Sequence, residues 1–108
     1  MKEIVYFKLE NGKEPVDEWI SSLDIRTQSR IYSRLERISQ GNYGDVKKLT
    51  NSELSEIRLA LGKGYRIYYA EVENIIILLI NAGDKSTQIS DIKKANKYFI
   101  LWKEQSNE

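Results

Sequence analysis

The sequence predicts a small α+β fold: one antiparallel, twisted sheet with an N-terminal helical hairpin and a C-terminal helix, in the order β-α-α-β-β-β-β-α. Three observations predict it. Leu54 to Leu61 and Tyr65 to Ala70 alternate in polarity on either side of Gly62-Lys63-Gly64, which is a hairpin signal. Ile75 to Ile80 is an unbroken apolar run, the mark of a central strand buried on both faces. Val16, Trp19, Ile20 and Leu23, and after them Ile31, Leu35 and Ile38, recur at helical spacing and make two apolar stripes.

In chain order, Lys2 to Leu9 reads as a first strand and Asn11-Gly12 as the turn after it. Pro15, the only proline, suits the first turn of a helix. Asp24 is placed as the N-cap of the second helix and Gly41 as its C′ stop. A link of about one residue makes the two helices an antiparallel hairpin. Gly41 to Gly44 is a loop, and Asp45 to Thr50 a short strand or extended arm. The following strands are joined by short loops, so they should form an antiparallel meander with the helices on one face. Ser86 is placed as the cap of a last helix holding Ile89, Ile92, Ala95, Phe99 and Trp102, with a polar, fraying tail after Lys103. Residues 1–108 then make a single domain.

Parity sharpens the hairpin. A three-residue loop, Gly62 to Gly64, sets Leu61 opposite Tyr65, Leu59 opposite Ile67 and Ile57 opposite Tyr69, giving one apolar face. The other face carries Glu56, Arg58, Arg66 and Tyr68, with Arg58 opposite Tyr68 and diagonal to Arg66. A two-residue loop would divide the two arginines between faces.

Composition narrows the chemistry. The 108 residues carry 17 Lys+Arg and 16 Asp+Glu, a formal charge of +1, so any basic site must come from local segregation of charge. The chain has neither Cys nor His, which excludes thiol nucleophiles, imidazole acid–base catalysis and the usual zinc sites. Glu53 with Glu56 falls short of a carboxylate cluster for a hard cation, so neither metal nor cofactor is expected. No segment approaches the ~20 apolar residues of a membrane span, and the N-terminus lacks a signal-peptide core. A cytoplasmic protein with no membrane partner is the expectation.

What remains is a surface of arginine, lysine and tyrosine. Arg58 and Arg66 suit the stabilisation of charge on a phosphodiester in flight, since a guanidinium fork matches phosphate oxygens. Lys85, just beyond the last strand, is a second cation or a proton donor to the leaving oxygen. Glu56 is the acidic candidate for a base on the same face, and Tyr68 offers a ring for base stacking. Lys47, Lys48 and Lys63 are further candidates for RNA contact. Arg26, Arg30, Arg34 and Arg37 fall in one stripe of the second helix at ~100° per residue. That stripe reads as a solvated helix surface or as one that faces RNA phosphate or an acidic partner.

Lys48-Leu49, Leu54-Ser-Glu-Ile-Arg58, Gly64-Tyr-Arg-Ile-Tyr-Tyr69, Gly83-Asp-Lys-Ser-Thr-Gln88 and Asp91-Ile92, in this order, carry a family likeness. With Trp19 and Gly41-Asn-Tyr-Gly-Asp45, they resemble the RelE/ParE superfamily of type II toxin–antitoxin toxins, within it the HigB-like addiction module killer group. The resemblance implies a RelE-like fold and a metal-independent endoribonuclease that cuts mRNA on the ribosome and inhibits translation. It implies an antitoxin partner, often a helix-turn-helix DNA-binding protein. Arg66 matches the phosphate-stabilising arginine of RelE-type enzymes, Lys85 their basic residue after the last strand, and Arg58 a basic residue on the preceding strand. Glu56 stands where those enzymes have a second lysine, and Asp91 near their functional tyrosine. The competing reading is a ParE-like protein that poisons DNA gyrase by binding, or a degenerate member that binds only its antitoxin.

Overall fold

Burial of the apolar runs decides the architecture. The computed structural model describes residues 1–106. Its strands are β1 (Glu3–Tyr6), β2 (Val46–Lys48), β3 (Ser55–Leu59), β4 (Tyr65–Val72) and β5 (Ile76–Gly83). Its helices are α1 (Pro15–Ser21), α2 (Ile25–Ser39) and α3 (Gln88–Ser106), with a 3-10 turn at Lys85–Thr87. The strands form one sheet in the order β1-β5-β4-β3-β2.

β2 to β5 make an antiparallel meander, but β1 lies parallel to β5, Glu3 beside Ile76 and Tyr6 beside Leu79. The sheet is therefore mixed, not antiparallel throughout. The expected placement of the helices is also corrected. α1 and α2 cover one face, where Val16, Ile20, Ile31, Leu35 and Ile38 pack on Ile57, Ile67, Tyr69, Ile77 and Leu79. α3 covers the other, where Ala95 and Phe99 pack on Tyr68, Ala70, Leu78 and Ile80. The physical reason is β5 itself. A strand apolar on both faces exposes one of them unless both are covered.

Local chemistry sets the boundaries. Pro15 opens α1, which ends at Ser21, so Leu23 falls in the link and not in the helix. Asp24 occupies the N-cap position of α2, and Gly41 follows its C-terminus at φ +93, a left-handed conformation that glycine adopts without Cβ strain. At the other end of the chain, Asp84 takes the role expected of Ser86. Its carboxylate accepts the Ser86 backbone N–H at 2.8 Å and caps the 3-10 turn, and α3 starts only at Gln88. α3 then continues through Ser106, past the expected fraying point.

Two register details position the site. β3 and β4 pair Leu59 with Tyr65 and Ile57 with Ile67, so the loop runs from Ala60 to Gly64. The expected three-residue loop is overturned, although a shift of two residues leaves every side chain on its expected face. Arg58 now stands opposite Arg66, and Glu56 opposite Tyr68. Tyr65 drives the change: its ring packs on Gly62, where an added Cβ would lie 2.5 Å from it, and meets Trp19 edge-on at 5.2 Å. The second detail is a bulge in β5. Tyr68 pairs with Asn81 but Tyr69 with Leu79, so Ile80 is the extra residue. Beyond it the facing of β5 reverses, and Asn81 and Gly83 point toward α3.

Candidate functional site

Arg58, Arg66 and Gly83 form one row across β3, β4 and β5 on the α3 side of the sheet. At this end of the sheet the Gly64 turn brings in two lysines. The Lys85 backbone N–H donates to the Lys63 carbonyl at 3.3 Å. A Cβ on Gly64 would lie 3.3 Å from Arg66 Nη1 and 3.4 Å from Lys85 Cβ. Arg66 Nη1 donates to the Gly64 carbonyl at 2.9 Å. Arg66, Lys63 and Lys85 are therefore neighbours along the backbone at this end of the sheet, and both lysines are exposed.

The floor beside them is acidic and buried. Glu56 is 2% exposed. Its Oε2 lies 3.5 Å from Arg66 Nε and accepts a 3.2 Å hydrogen bond from Gln88 at the start of α3. This does not suit a base that must reach a ribose hydroxyl; it suits a counter-ion that orients Arg66. Tyr68 is fully buried under α3, so it has no free ring face for base stacking. Burial, reinforced by Glu56 and Asp91, pushes the Tyr68 hydroxyl well above its ordinary range. Its Oη has no hydrogen-bond partner among the described residues.

Arg58 shares the row but is tied down. Its Nε and Nη2 donate to Asp45 Oδ1 at 3.2 and 3.0 Å, with the side chain 40% exposed. Lys47 and Lys48, on edge strand β2, are separated by strand alternation. Lys47 pairs with Glu56 and shares the Arg66 face, whereas Lys48 pairs with Ser55 on the opposite face.

The arginine stripe of α2 also divides. Arg34 donates to three backbone carbonyls: Tyr43 at 2.9 Å, Arg58 at 3.0 Å and Asp45 at 2.7 Å. Burial, then the neighbouring Arg37, lowers its pKa from the usual arginine value. It braces the loop before β2 against β3, and its fork is not free for RNA. Arg26, Arg30 and Arg37 are exposed. They lie on the helical-hairpin side, away from the Arg66 row.

Several positioning residues escaped sequence reasoning. Gln88 holds Glu56. Asp91 packs over Gly83 and accepts from Thr87, and Asn81 donates to the Asp91 carbonyl at 3.0 Å. Together they seat the start of α3 on β5. The signal in sequence was Gly83, a glycine ending an apolar strand, where the Asp91 and Thr87 side chains approach closely. Among the described residues no group of three His, Cys, Asp or Glu is arranged to hold a metal ion. No helix of the described residues is long and apolar enough to cross a membrane.

Comparison with known proteins adds a family. Residues 18–100 match the model of the phage-derived protein Gp49-like family (DUF891), a span that includes the whole basic row. An uncharacterized protein of Haemophilus influenzae is 40% identical over 80 residues, covering 73% of this chain and 80% of that protein.

Proposed function

The chain belongs to the phage-derived Gp49-like family, a group of toxin–antitoxin toxins, and from that premise we propose that it is a metal-independent endoribonuclease that cuts mRNA on the ribosome. The observation that carries the reading is the clustering of residues Lys63, Arg66 and Lys85 at one end of the sheet, with Arg58 opposite Arg66. In this reading the phosphodiester sits against that cluster. The ribose 2′-oxygen attacks phosphorus as its proton passes to solvent at the open rim. The P–O5′ bond breaks, and the 5′-oxygen takes a proton from Lys85. The products are a 2′,3′-cyclic phosphate and a 5′-hydroxyl. Arg66, oriented by Glu56, stabilises the charge on the non-bridging oxygens; fixed charges aimed at developing charge usually contribute most to such catalysis. Lys47 and Lys63 guide the RNA strand. The antitoxin is a helix-turn-helix protein, and toxin and target meet in the cytoplasm, as the HigB-like resemblance implies.

A second reading has its own support. Glu56 neutralises part of Arg66, and Arg58 is engaged by Asp45. A protein that inhibits a target such as DNA gyrase by binding alone has no need of a free cationic centre. Induced expression with mapping of mRNA 5′ ends separates the two. New 5′ ends inside translated frames, lost in Arg66→Ala, support the nuclease. Growth arrest with intact messages and arrested replication supports the binding reading.

A further inference from the structure

A groove runs along α2 on the side of the molecule that the proposed chemistry does not use. One wall is α2 with Arg30, Tyr32 and Arg37, and the other is Leu59 to Leu61, where β3 passes into its turn. It is open to solvent, with a volume of about 980 Å³. β2 pairs with β3 only as far as Ile57, so β2 does not cover the outer edge of this second wall, whose inner edge pairs with β4 at Tyr65. The groove is apolar at its base: Leu59 is buried, Leu61 half-buried and Ala60 exposed. Tyr32 is 43% exposed, a large ring left in water. Arg30 and Arg37 stand two helical turns apart, roughly 10 Å along the axis. Neither makes an ion pair among the described residues.

We propose that this groove is the docking site for an acidic, amphipathic segment of the antitoxin. The proposal rests on the toxin–antitoxin reading but not on RNA cleavage. Charge complementarity fixes the chemistry of the occupant. Two unpaired guanidinium forks two turns apart match carboxylates on one face of a segment. The apolar base and the Tyr32 ring accept an aliphatic or aromatic anchor from its other face. RNA fits less well. Two free cations release few counterions. Arg34, which would be the third cation, has its fork in three backbone carbonyls.

The test is calorimetric titration of the purified chain with its purified cognate antitoxin. Wild type is compared with Arg30→Glu/Arg37→Glu, with Ala60→Trp, which fills the groove without altering charge, and with Arg66→Ala. Thermal melts confirm that each variant is folded. The double reversal is expected to weaken binding at least ~30-fold, with the difference shrinking as salt rises. Ala60→Trp weakens it too, and Arg66→Ala leaves it unchanged. Wild-type affinity in both groove variants would overturn the proposal. So would unchanged antitoxin affinity with lost ribosome binding, which would make the groove an RNA surface. A wild-type chain that cleaves no RNA, yet loses its antitoxin through the groove variants, would remove the nuclease reading and leave this one standing.

Discussion

Arg34 uses its whole guanidinium inside the fold, joining the Tyr43, Asp45 and Arg58 carbonyls. Removing it takes a donor from each of them, the Asp45 carbonyl alone keeping a second one in the Arg58 backbone N–H, so Arg34→Ala should lower stability by about 2 kcal/mol in urea unfolding. Arg30→Ala and Arg37→Ala, at exposed positions, should stay within about 0.5 kcal/mol. A pattern of equal losses would mean that the stripe acts as one unit. Tyr68 gives a second prediction. Its buried hydroxyl has no partner among the described residues, so Tyr68→Phe should match or slightly exceed wild-type stability and leave cleavage unchanged. Glu56→Gln keeps the hydrogen bond to Gln88 but not the charge facing Arg66. It should change single-turnover cleavage by less than ~10-fold if Glu56 only orients, and by far more if it is the base. Glu71 supplies the pH dependence. Hydrogen bonds from Lys2 and Tyr43 hold its carboxyl below the usual range. The folded value is depressed, so the contribution is complete above the unfolded value of about 4.3 and is lost as pH falls through the folded one. On this exposed pair it amounts to a few tenths of a kcal/mol. The urea midpoints of wild type and Glu71→Gln should therefore differ at pH 7 and converge at low pH.

β3, β4, β5 and the first turn of α3 together make the site, and each was legible to a different degree. The alternation of Leu54–Leu61 against Tyr65–Ala70 located β3 and β4 and placed Glu56, Arg58, Arg66 and Tyr68 on one face. Alternation fixes faces but not register, and the packing of Tyr65 on Gly62 and Trp19 moved the pairing by two residues. It also says nothing of what covers a face, so the burial of Tyr68 and Glu56 under α3 was not visible. The β5 bulge at Ile80 left no mark in an apolar run whose residues suit either face. Its consequence is testable at Gly83. An added Cβ would overlap Asp91 Oδ2, which is held by Thr87. Gly83→Ala should cost about 1–3 kcal/mol and loosen the start of α3, read as faster hydrogen exchange over residues 88–92.

On the scale of the whole molecule, the sheet separates two basic surfaces that residue type alone does not distinguish. Lys47, Lys63, Arg66 and Lys85 belong to the α3 face and its end, while Arg30 and Arg37 belong to the groove along α2. The α+β class, with one sheet and three helices, followed from periodicity and turn residues. The parallel seat of β1 did not, because pairing between the two ends of a chain leaves no local signal. Nor did the covering of both faces, although the apolar run of β5 required it. A near-neutral chain thus carries charge segregated by topology, which a net charge of +1 conceals. In the proposed mechanism Arg66 and its two lysines stabilise a phosphodiester in cleavage. The most direct measurement is single-turnover cleavage of a defined mRNA on programmed ribosomes by wild type and Arg66→Ala. Wild type is expected to leave a 2′,3′-cyclic phosphate end, and the folded variant to lose at least ~100-fold in rate. Equal cleavage by both proteins, or none by a wild-type chain that still arrests growth, would contradict that mechanism.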